Sequence, residues 1–278
     1  MKIAVLSGKG GTGKTMVSVN LACAAANSVY IDCDVEEPNG HLFLKPENPQ
    51  TQTVFKSLPT FDDEKCTGCR KCVDFCRFNA LAYLKGKHKV FEDVCHFCGG
   101  CALVCPENAV GEARVPVGEV VHGMHNNTMC ITGRLNIGEG SGTPVVKAAL
   151  DAGFAENRTT IIDCPPGSGC SVLESVEDVD YCIIVAEPTA FGLHNMQMVH
   201  QLTALMKKPC GIVINKETSP YEPLEEYCKM RRLPILMRIP YKEDYARLCA
   251  AGEILCEKDE QAKAMFAELL DMIGGAAK

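Results

Sequence analysis

The sequence predicts an α/β fold: a doubly wound, mostly parallel sheet with a small inserted α+β domain. Three observations carry this reading: short unbroken apolar runs, longer amphipathic stretches alternating with them, and one cysteine-rich segment where the alternation stops. The apolar runs are Ile3 to Leu6, Val29 to Ile31, Thr160 to Ile162, Tyr181 to Val185, Cys210 to Ile214 and Ile235 to Ile239. Runs this short, with few polar interruptions, suit strands covered on both faces. The stretches between them, Thr15 to Ala26, Pro144 to Ala152, Leu193 to Met206, Pro223 to Arg231 and Lys258 to Ile273, carry helical patterns. Alternation of this kind places the strands in one sheet with helices on its faces.

The alternation breaks from Pro59 to Glu112, so the expected organisation is a main body of residues 1–58 and 113–278 with residues 59–112 inserted. Inside the insertion, Cys66-Thr67-Gly68-Cys69-Arg70-Lys71-Cys72-Val73-Asp74-Phe75-Cys76 is echoed 29 positions later by Cys95-His96-Phe97-Cys98-Gly99-Gly100-Cys101-Ala102-Leu103-Val104-Cys105. Asn79-Ala80-Leu81 and Asn108-Ala109-Val110 extend the match, and internal duplication accounts for it.

At 278 residues and 46% hydrophobic content, the chain can bury a substantial core. A formal charge of -7 with no Lys/Arg-rich run repels a phosphate backbone, so no nucleic-acid partner is expected. The apolar run at Ile3 to Leu6 is too short for a secretory core, and no later stretch approaches the ~18 residues of a membrane span. A cytoplasmic location with no membrane partner is the expectation. Of the 18 cysteines, eight fall in the duplicated pattern, and without an export signal thiolate metal ligation is favoured over disulfides. The acidic residues Asp259, Glu260, Glu268 and Asp271 in the last amphipathic stretch argue for a core-covering helix rather than a lipid-binding one.

Ile3 to Leu6 runs into Ser7-Gly8-Lys9-Gly10-Gly11-Thr12-Gly13-Lys14-Thr15, with a helical pattern behind it. Strand, glycine-rich loop and helix in that order form a P-loop: backbone N–H groups ring the phosphates, Lys14 meets the β/γ oxygens and the Thr15 hydroxyl holds Mg²⁺. Thr160-Ile161-Ile162-Asp163 reads as the strand whose terminal acid supports that Mg²⁺, followed by a loop suited to sensing the γ-phosphate. Val213-Ile214-Asn215-Lys216-Glu217-Thr218 begins like a guanine-reading element but has threonine where the acid should stand, so ATP is preferred over GTP. Capping a strand-to-helix turn is the plainer role for Asn215.

The second lysine, Lys9, has no role in an ordinary P-loop. With Lys9-Gly10-Gly11-Thr12-Gly13-Lys14-Thr15, the main body resembles the MinD/ParA family of deviant-Walker ATPases over nearly all of the chain outside the insertion. That resemblance implies that Lys9 reaches across a dimer interface to the partner's nucleotide, making homodimerisation depend on ATP. In Asp32-Cys33-Asp34-Val35-Glu36-Glu37-Pro38-Asn39 it implies that Asp34 orients the attacking water and that Asp32 is structural. It also implies that Asn215 and the Pro240-Tyr241 segment flank the adenine.

The insertion is similar to the two-cluster bacterial ferredoxins, whose ligand set is a repeated C-x₂-C-x₂-C-x₃-C. The resemblance implies one [4Fe-4S] cluster on Cys66, Cys69, Cys72 and Cys105 and a second on Cys95, Cys98, Cys101 and Cys76. The first copy has Arg77 where proline is usual, which removes no ligand. Zinc knuckles are the competing reading, but three cysteines at two-residue gaps, twice over, fit cubane clusters better. His96 is assigned no ligand role.

Together the two halves resemble MinD-superfamily ATPases with an inserted ferredoxin domain, related to Mrp-type and nitrogenase iron proteins. The combination implies nucleotide-dependent dimerisation coupled to electron transfer or cluster chemistry with an unidentified protein partner. A cluster scaffold or carrier of Mrp type is the alternative, and a positioning ATPase or an ATP-dependent ligase stands further off. Cys170, seven residues after Asp163, has the offset of a bridging-cluster ligand in the nitrogenase iron protein, with Cys130 as a conceivable companion. Core packing is the default for Cys23, Cys33, Cys164, Cys182, Cys210, Cys228, Cys249 and Cys256.

Overall fold

The computed structural model describes residues 1–154 and 158–276. The strands are β1 (Lys2–Leu6), β2 (Ser28–Asp32), β3 (Glu47–Phe61), β4 (Leu81–Leu84), β5 (Lys87–Val90), β6 (Val110–His125), β7 (Thr128–Leu135), β8 (Thr159–Asp163), β9 (Tyr181–Ala186), β10 (Cys210–Glu217) and β11 (Ile235–Pro240). The helices are α1 (Lys14–Ala24), α2 (Gly40–Leu44), α3 (Lys71–Phe75), α4 (Gly100–Leu103), α5 (Thr143–Phe154), α6 (Cys170–Val176), α7 (Ala190–Leu205), α8 (Glu222–Arg231), α9 (Glu243–Ala250), α10 (Leu255–Lys258) and α11 (Glu260–Ala276). All six apolar runs became strands. The last amphipathic stretch divides at Asp259, whose carboxylate accepts from the N–H groups of Gln261 (2.8 Å) and Ala262 (3.3 Å) and so starts α11 afresh.

Nine strands form one sheet in the order β11-β10-β9-β1-β8-β2-β7-β6-β3. From β11 to β7 every neighbouring pair is parallel, whereas β6 runs antiparallel to both β7 and β3. The central strands are apolar at every position because both faces are covered: β9 is buried from end to end. Against one face, Ile31, Ile131 and Ile162 pack with Val146 and Leu150 of α5 and Val199 of α7. Against the other, Ile3, Val5 and Ile161 pack with Val17 and Leu21 of α1 and with Phe266 and Leu269 of α11. The last helix therefore covers core.

The antiparallel strands β3 and β6 outrun the sheet. β6 pairs with β7 from Gly118 to His125, but its ladder with β3 continues to Phe61↔Val110. The result is a two-stranded arm at whose tip residues 62–109 fold around β4, β5, α3 and α4. Pro59 and Glu112 face each other across this arm, so the expected junctions of the insertion lie inside continuous strands. Alternation along β3 is confined to Val54, Lys56 and Leu58, which are buried, whereas Glu47 to Thr53 are exposed throughout.

Candidate functional site

The chain moves from β1 toward β8 and β2 on one side and toward β9 on the other, so β1 ends at a topological switch point, where open α/β sheets bind ligands. Residues 7–13 turn over that end. Gly11 (φ 79°) and Gly13 (φ 90°) adopt left-handed conformations that a side chain would strain, and Gly13 delivers the chain into α1 with no side-chain cap on its first amides. A Cβ at Gly8 would stand 2.4 Å from the Asn195 carbonyl oxygen of α7, which explains why the loop needs glycine there too. The uncapped amides face a cleft of about 680 Å³.

Lys9, Gly10, Gly11, Thr12, Gly13, Lys14, Thr15, Asp34, Asn215 and Pro240 all line this cleft. Gly8 lies behind the loop, and Asp163 lies beneath Lys14. The Lys14 ammonium sits 2.5 Å from Asp163 Oδ1, which also accepts from Ser18 Oγ (3.0 Å), while Tyr30 OH donates to Oδ2 (3.0 Å). Burial alone would lower the Lys14 pKa, but the Asp163 carboxylate more than offsets this and holds it above its ordinary value. Thr12 Oγ1 is buried and, among the described residues, has no hydrogen-bond partner. Uncapped amides, a buried cation and an orphaned hydroxyl around one cleft fit a phosphate chain with its Mg²⁺.

Asp32 and Asp34 stand in different surroundings. Asp32 is fully buried and accepts from the N–H groups of Asp34 (3.2 Å), Asn39 (3.1 Å) and Gly40 (2.9 Å), which folds the turn into α2. Burial, with Asp163 nearby, pushes its pKa up to about 7. Asp34 reaches the cleft, and burial pushes its pKa up to about 6 despite the opposing pull of Lys14.

Asn215 and Lys9 are each tied within the chain. Asn215, buried within β10, donates to the Thr12 carbonyl (2.7 Å), so it ties the P-loop to the sheet rather than capping a turn. Lys9 is held by its own chain: its ammonium lies 2.7 Å from Glu187 Oε2 and 5.1 Å from the Phe191 ring centre. Glu187 was missed by the sequence reading, as was Lys216, which bonds both Glu187 (2.8 Å) and the Gly11 carbonyl (2.6 Å). Their one signal was position, at the end of β9 and within β10, beside the loop. Tyr241, expected with Pro240 beside the adenine, also lines the cleft, as does Cys249, which the sequence assigned to core packing.

The eight patterned cysteines divide between two cavities at the arm's tip. Cys66, Cys69, Cys72 and Cys105 line one; Cys76, Cys95, Cys98 and Cys101 line the other, of about 260 Å³. The two halves share a backbone as well as a sequence: left-handed residues recur at Gly68 and Phe97, at Arg70 and Gly99, and at Asn79 and Asn108. Backbone N–H groups turn toward sulfur in matching places, Ala80 to Cys76 Sγ (3.4 Å) and Ala109 to Cys105 Sγ (3.3 Å). Among the described residues no three His, Cys, Asp or Glu side chains converge on the position of a single metal ion. Four thiols around a cavity, with amides aimed at the sulfurs, fit a cluster whose thiolates must stand farther apart than the ligands of one ion.

The environments of the two sets differ. His88 Nε2 lies 3.4 Å from Cys72 Sγ, its ring stacked on Phe61 at 3.8 Å, whereas His96 stacks on Phe78 at 3.6 Å. Cys170 is exposed at the start of α6, while Cys130 is buried in the core on the α1 face, so Cys130 supplies no companion ligand.

Residues 3–255 match the model of the CobQ/CobB/MinD/ParA nucleotide-binding domain. The chain belongs to this P-loop ATPase family. The septum site-determining protein MinD complexed with Mg-ADP from Pyrococcus horikoshii has the same fold, with a TM-score of 0.60 at 16% identity over 100% of this chain and 98% of that one. The uncharacterised protein MJ0578 of Methanocaldococcus jannaschii is 29% identical over 98% of this chain and 96% of its own length. A shorter match, 42% identical over 53 residues, joins 18% of this chain to 69% of an uncharacterised ferredoxin, MJ0722, from the same organism. Among the described residues, no helix is long and apolar enough to cross a membrane.

Proposed function

We propose that this chain is an Mg²⁺-dependent ATPase carrying two [4Fe-4S] clusters, in which ATP-driven homodimerisation is coupled to electron transfer or cluster chemistry with a protein partner. The observation that carries this reading is the division of the eight cysteines into two cavities on an arm hydrogen-bonded into the same sheet that presents the P-loop. The short match to a ferredoxin and the Mg-ADP held by a protein of the same fold support the two halves separately.

In this reading the amides of residues 10–14 bind the phosphates, and Lys14 turns from Asp163 toward the β/γ oxygens. The Thr15 hydroxyl and Asp163 hold Mg²⁺, and ionised Asp34 orients the attacking water. Lys9 leaves Glu187 to reach the nucleotide of the second protomer, with Pro240 and Tyr241 beside the base. When bound, the clusters supply one-electron redox capacity, and the thiolates of the two cysteine sets hold them. Iron and sulfide analysis of anaerobically prepared protein, with sedimentation velocity in MgATP, tests this directly. About eight irons per chain and a dimer formed by wild type but not by Lys14→Ala are expected; iron-free protein or a nucleotide-indifferent monomer refutes it.

Exposure of Cys69 and Cys98, one in each set, favours a second reading in which clusters are handed to an acceptor. Transfer of labelled iron to an apo-protein distinguishes the two readings, because clusters on four cysteines that serve electron transfer are retained.

A further inference from the structure

The two cysteine sets are not equivalent with respect to the nucleotide site. Every residue lining the cavity of Cys66, Cys69, Cys72 and Cys105 belongs to the segment from Phe61 to Val110. Cys95, by contrast, also opens onto a second, polar cavity of about 260 Å³ shared with Glu36, Lys56, Glu139 and the exposed residue Cys170 of the post-Asp163 loop. One set is enclosed by the arm tip alone. The other is seated on the P-loop body.

The seat can be followed contact by contact. Val35, next to Asp34, accepts from the Leu135 amide (2.9 Å), and its side chain leaves no room for a Cβ at Gly142, which would come within 2.6 Å. Leu135 and Gly142 bracket the loop that presents Glu139 and Gly140. Glu139 pairs with Lys56, a lysine only 8% exposed on β3, and the Lys56 ammonium lies 4.9 Å over the ring of Phe97. Phe97 stands between Cys95 and Cys98 in a left-handed conformation. On the same loop, a Cβ at Gly140 would stand 3.0 Å from the Asp93 carbonyl oxygen. A packed path thus runs from the residue beside Asp34 to the loop bearing two thiols of one set, with a half-buried ion pair in the middle.

We infer that the cluster held by Cys76, Cys95, Cys98 and Cys101 is the nucleotide-responsive one, and that Lys56 is the positioning residue through which the response passes. This rests on the proposed cluster-bearing ATPase. A shift of the 135–142 loop with the Asp34 segment moves Glu139, and Lys56 follows it because an unpaired buried charge is costly. Phe97 and the Cys95–Cys98 backbone move with Lys56. Among the described residues, none outside Phe61 to Val110 lines the cavity of the set containing Cys72.

The test is an anaerobic EPR redox titration of the full chain with and without MgATP, with the signals assigned by loss in Cys72→Ser and in Cys101→Ser. The expected result is a MgATP-dependent change in midpoint or lineshape for the signal lost in Cys101→Ser, and none for the signal lost in Cys72→Ser. Lys56→Met should abolish that change while iron content and ATP hydrolysis stay at wild-type levels, and Lys56→Arg should restore it. Glu139→Gln provides the same readout should Lys56→Met lose iron. A change at the Cys72-dependent signal, at both signals equally, or undiminished in Lys56→Met and Glu139→Gln overturns the inference while leaving the ATPase reading intact. No MgATP response at either signal overturns both.

Discussion

Lys9 Nζ and Glu187 Oε2 lie 2.7 Å apart within one chain, while the other Glu187 oxygen is engaged by Lys216 at 2.8 Å. The lysine that distinguishes this P-loop is therefore latched in cis before any partner arrives. Dimerisation through Lys9 has to break that pair. The Lys9 side chain is 29% exposed, so the pair contributes in the range of exposed ion pairs, about 0.2–1 kcal/mol. Glu187→Gln should lower the MgATP concentration needed for half-maximal dimer by up to about fivefold in sedimentation experiments. An unchanged or raised requirement would show that the latch does not oppose assembly.

Lys14, the proposed phosphate ligand, is also the counter-ion of Asp163. Asp163 is fully buried, and removing one partner of a buried pair costs about 3–5 kcal/mol, here reduced by the bonds from Ser18 and Tyr30. Lys14→Ala should lower the melting temperature of the nucleotide-free protein by several degrees and abolish MgATP binding. The sign of the pH effect follows from the raised Lys14 pKa: its contribution is fully present at neutral pH and is lost as pH rises above the ordinary lysine range. A thermal melt of the variant matching wild type would contradict the pairing.

In the proposed mechanism, Asp34 sets the pH dependence of hydrolysis. Its folded pKa is raised by burial to about 6, so the ionised form that orients water disappears as pH falls through that value. In the proposed mechanism kcat/KM for MgATP rises with pH and levels off above about 7, and Asp34→Asn flattens the profile at a low level. For stability the sign reverses: a raised carboxylate pKa favours the fold at low pH, and that contribution is lost as pH rises through about 6.

Cross-ligation gives a prediction on metal content alone. Cys76 lines the cavity of Cys95, Cys98 and Cys101, and Cys105 lines that of Cys66, Cys69 and Cys72. Cys76→Ser should therefore remove the same EPR signal as Cys98→Ser, and about four irons, despite its sequence position in the first repeat. Loss of the signal shared with Cys69→Ser would mean that each repeat binds its own cluster.

In the proposed cluster-bearing chain, His88 would make the two sets electronically distinct. With a cluster on Cys72, a proton on His88 Nε2 would donate to Sγ and stabilise the more negative, reduced form, so His88→Phe, which retains a ring against Phe61, should lower the midpoint of the Cys72-dependent signal and leave the other unchanged. Equal shifts of both signals would indicate a general loosening of the tip.

The sequence made the parallel body legible because strands such as Ile3 to Leu6 and Tyr181 to Val185 are buried on both faces and announce themselves as unbroken apolar runs. It did not announce β3, β6 or β7. β3 is polar and exposed along its first half, and its outer ladder is held by β6 rather than by a core. β7 lies beside β2 in the sheet, yet its Thr132, Gly133 and Arg134 break the apolar pattern. At the site, the P-loop and the cysteines were readable because phosphate and thiolate chemistry fix residue type and spacing. Glu187, Lys56 and Tyr30 act through partners distant in sequence, so no local pattern marks them.

The most direct test of the central claim is an anaerobic, EPR-monitored redox titration of iron-replete protein, with and without MgATP, on wild type and Lys14→Ala. The account predicts two four-iron signals, at least one of which changes its midpoint or lineshape with MgATP in wild type and not in Lys14→Ala. Two signals indifferent to MgATP in both proteins would contradict it and leave the arm an electron carrier independent of the nucleotide.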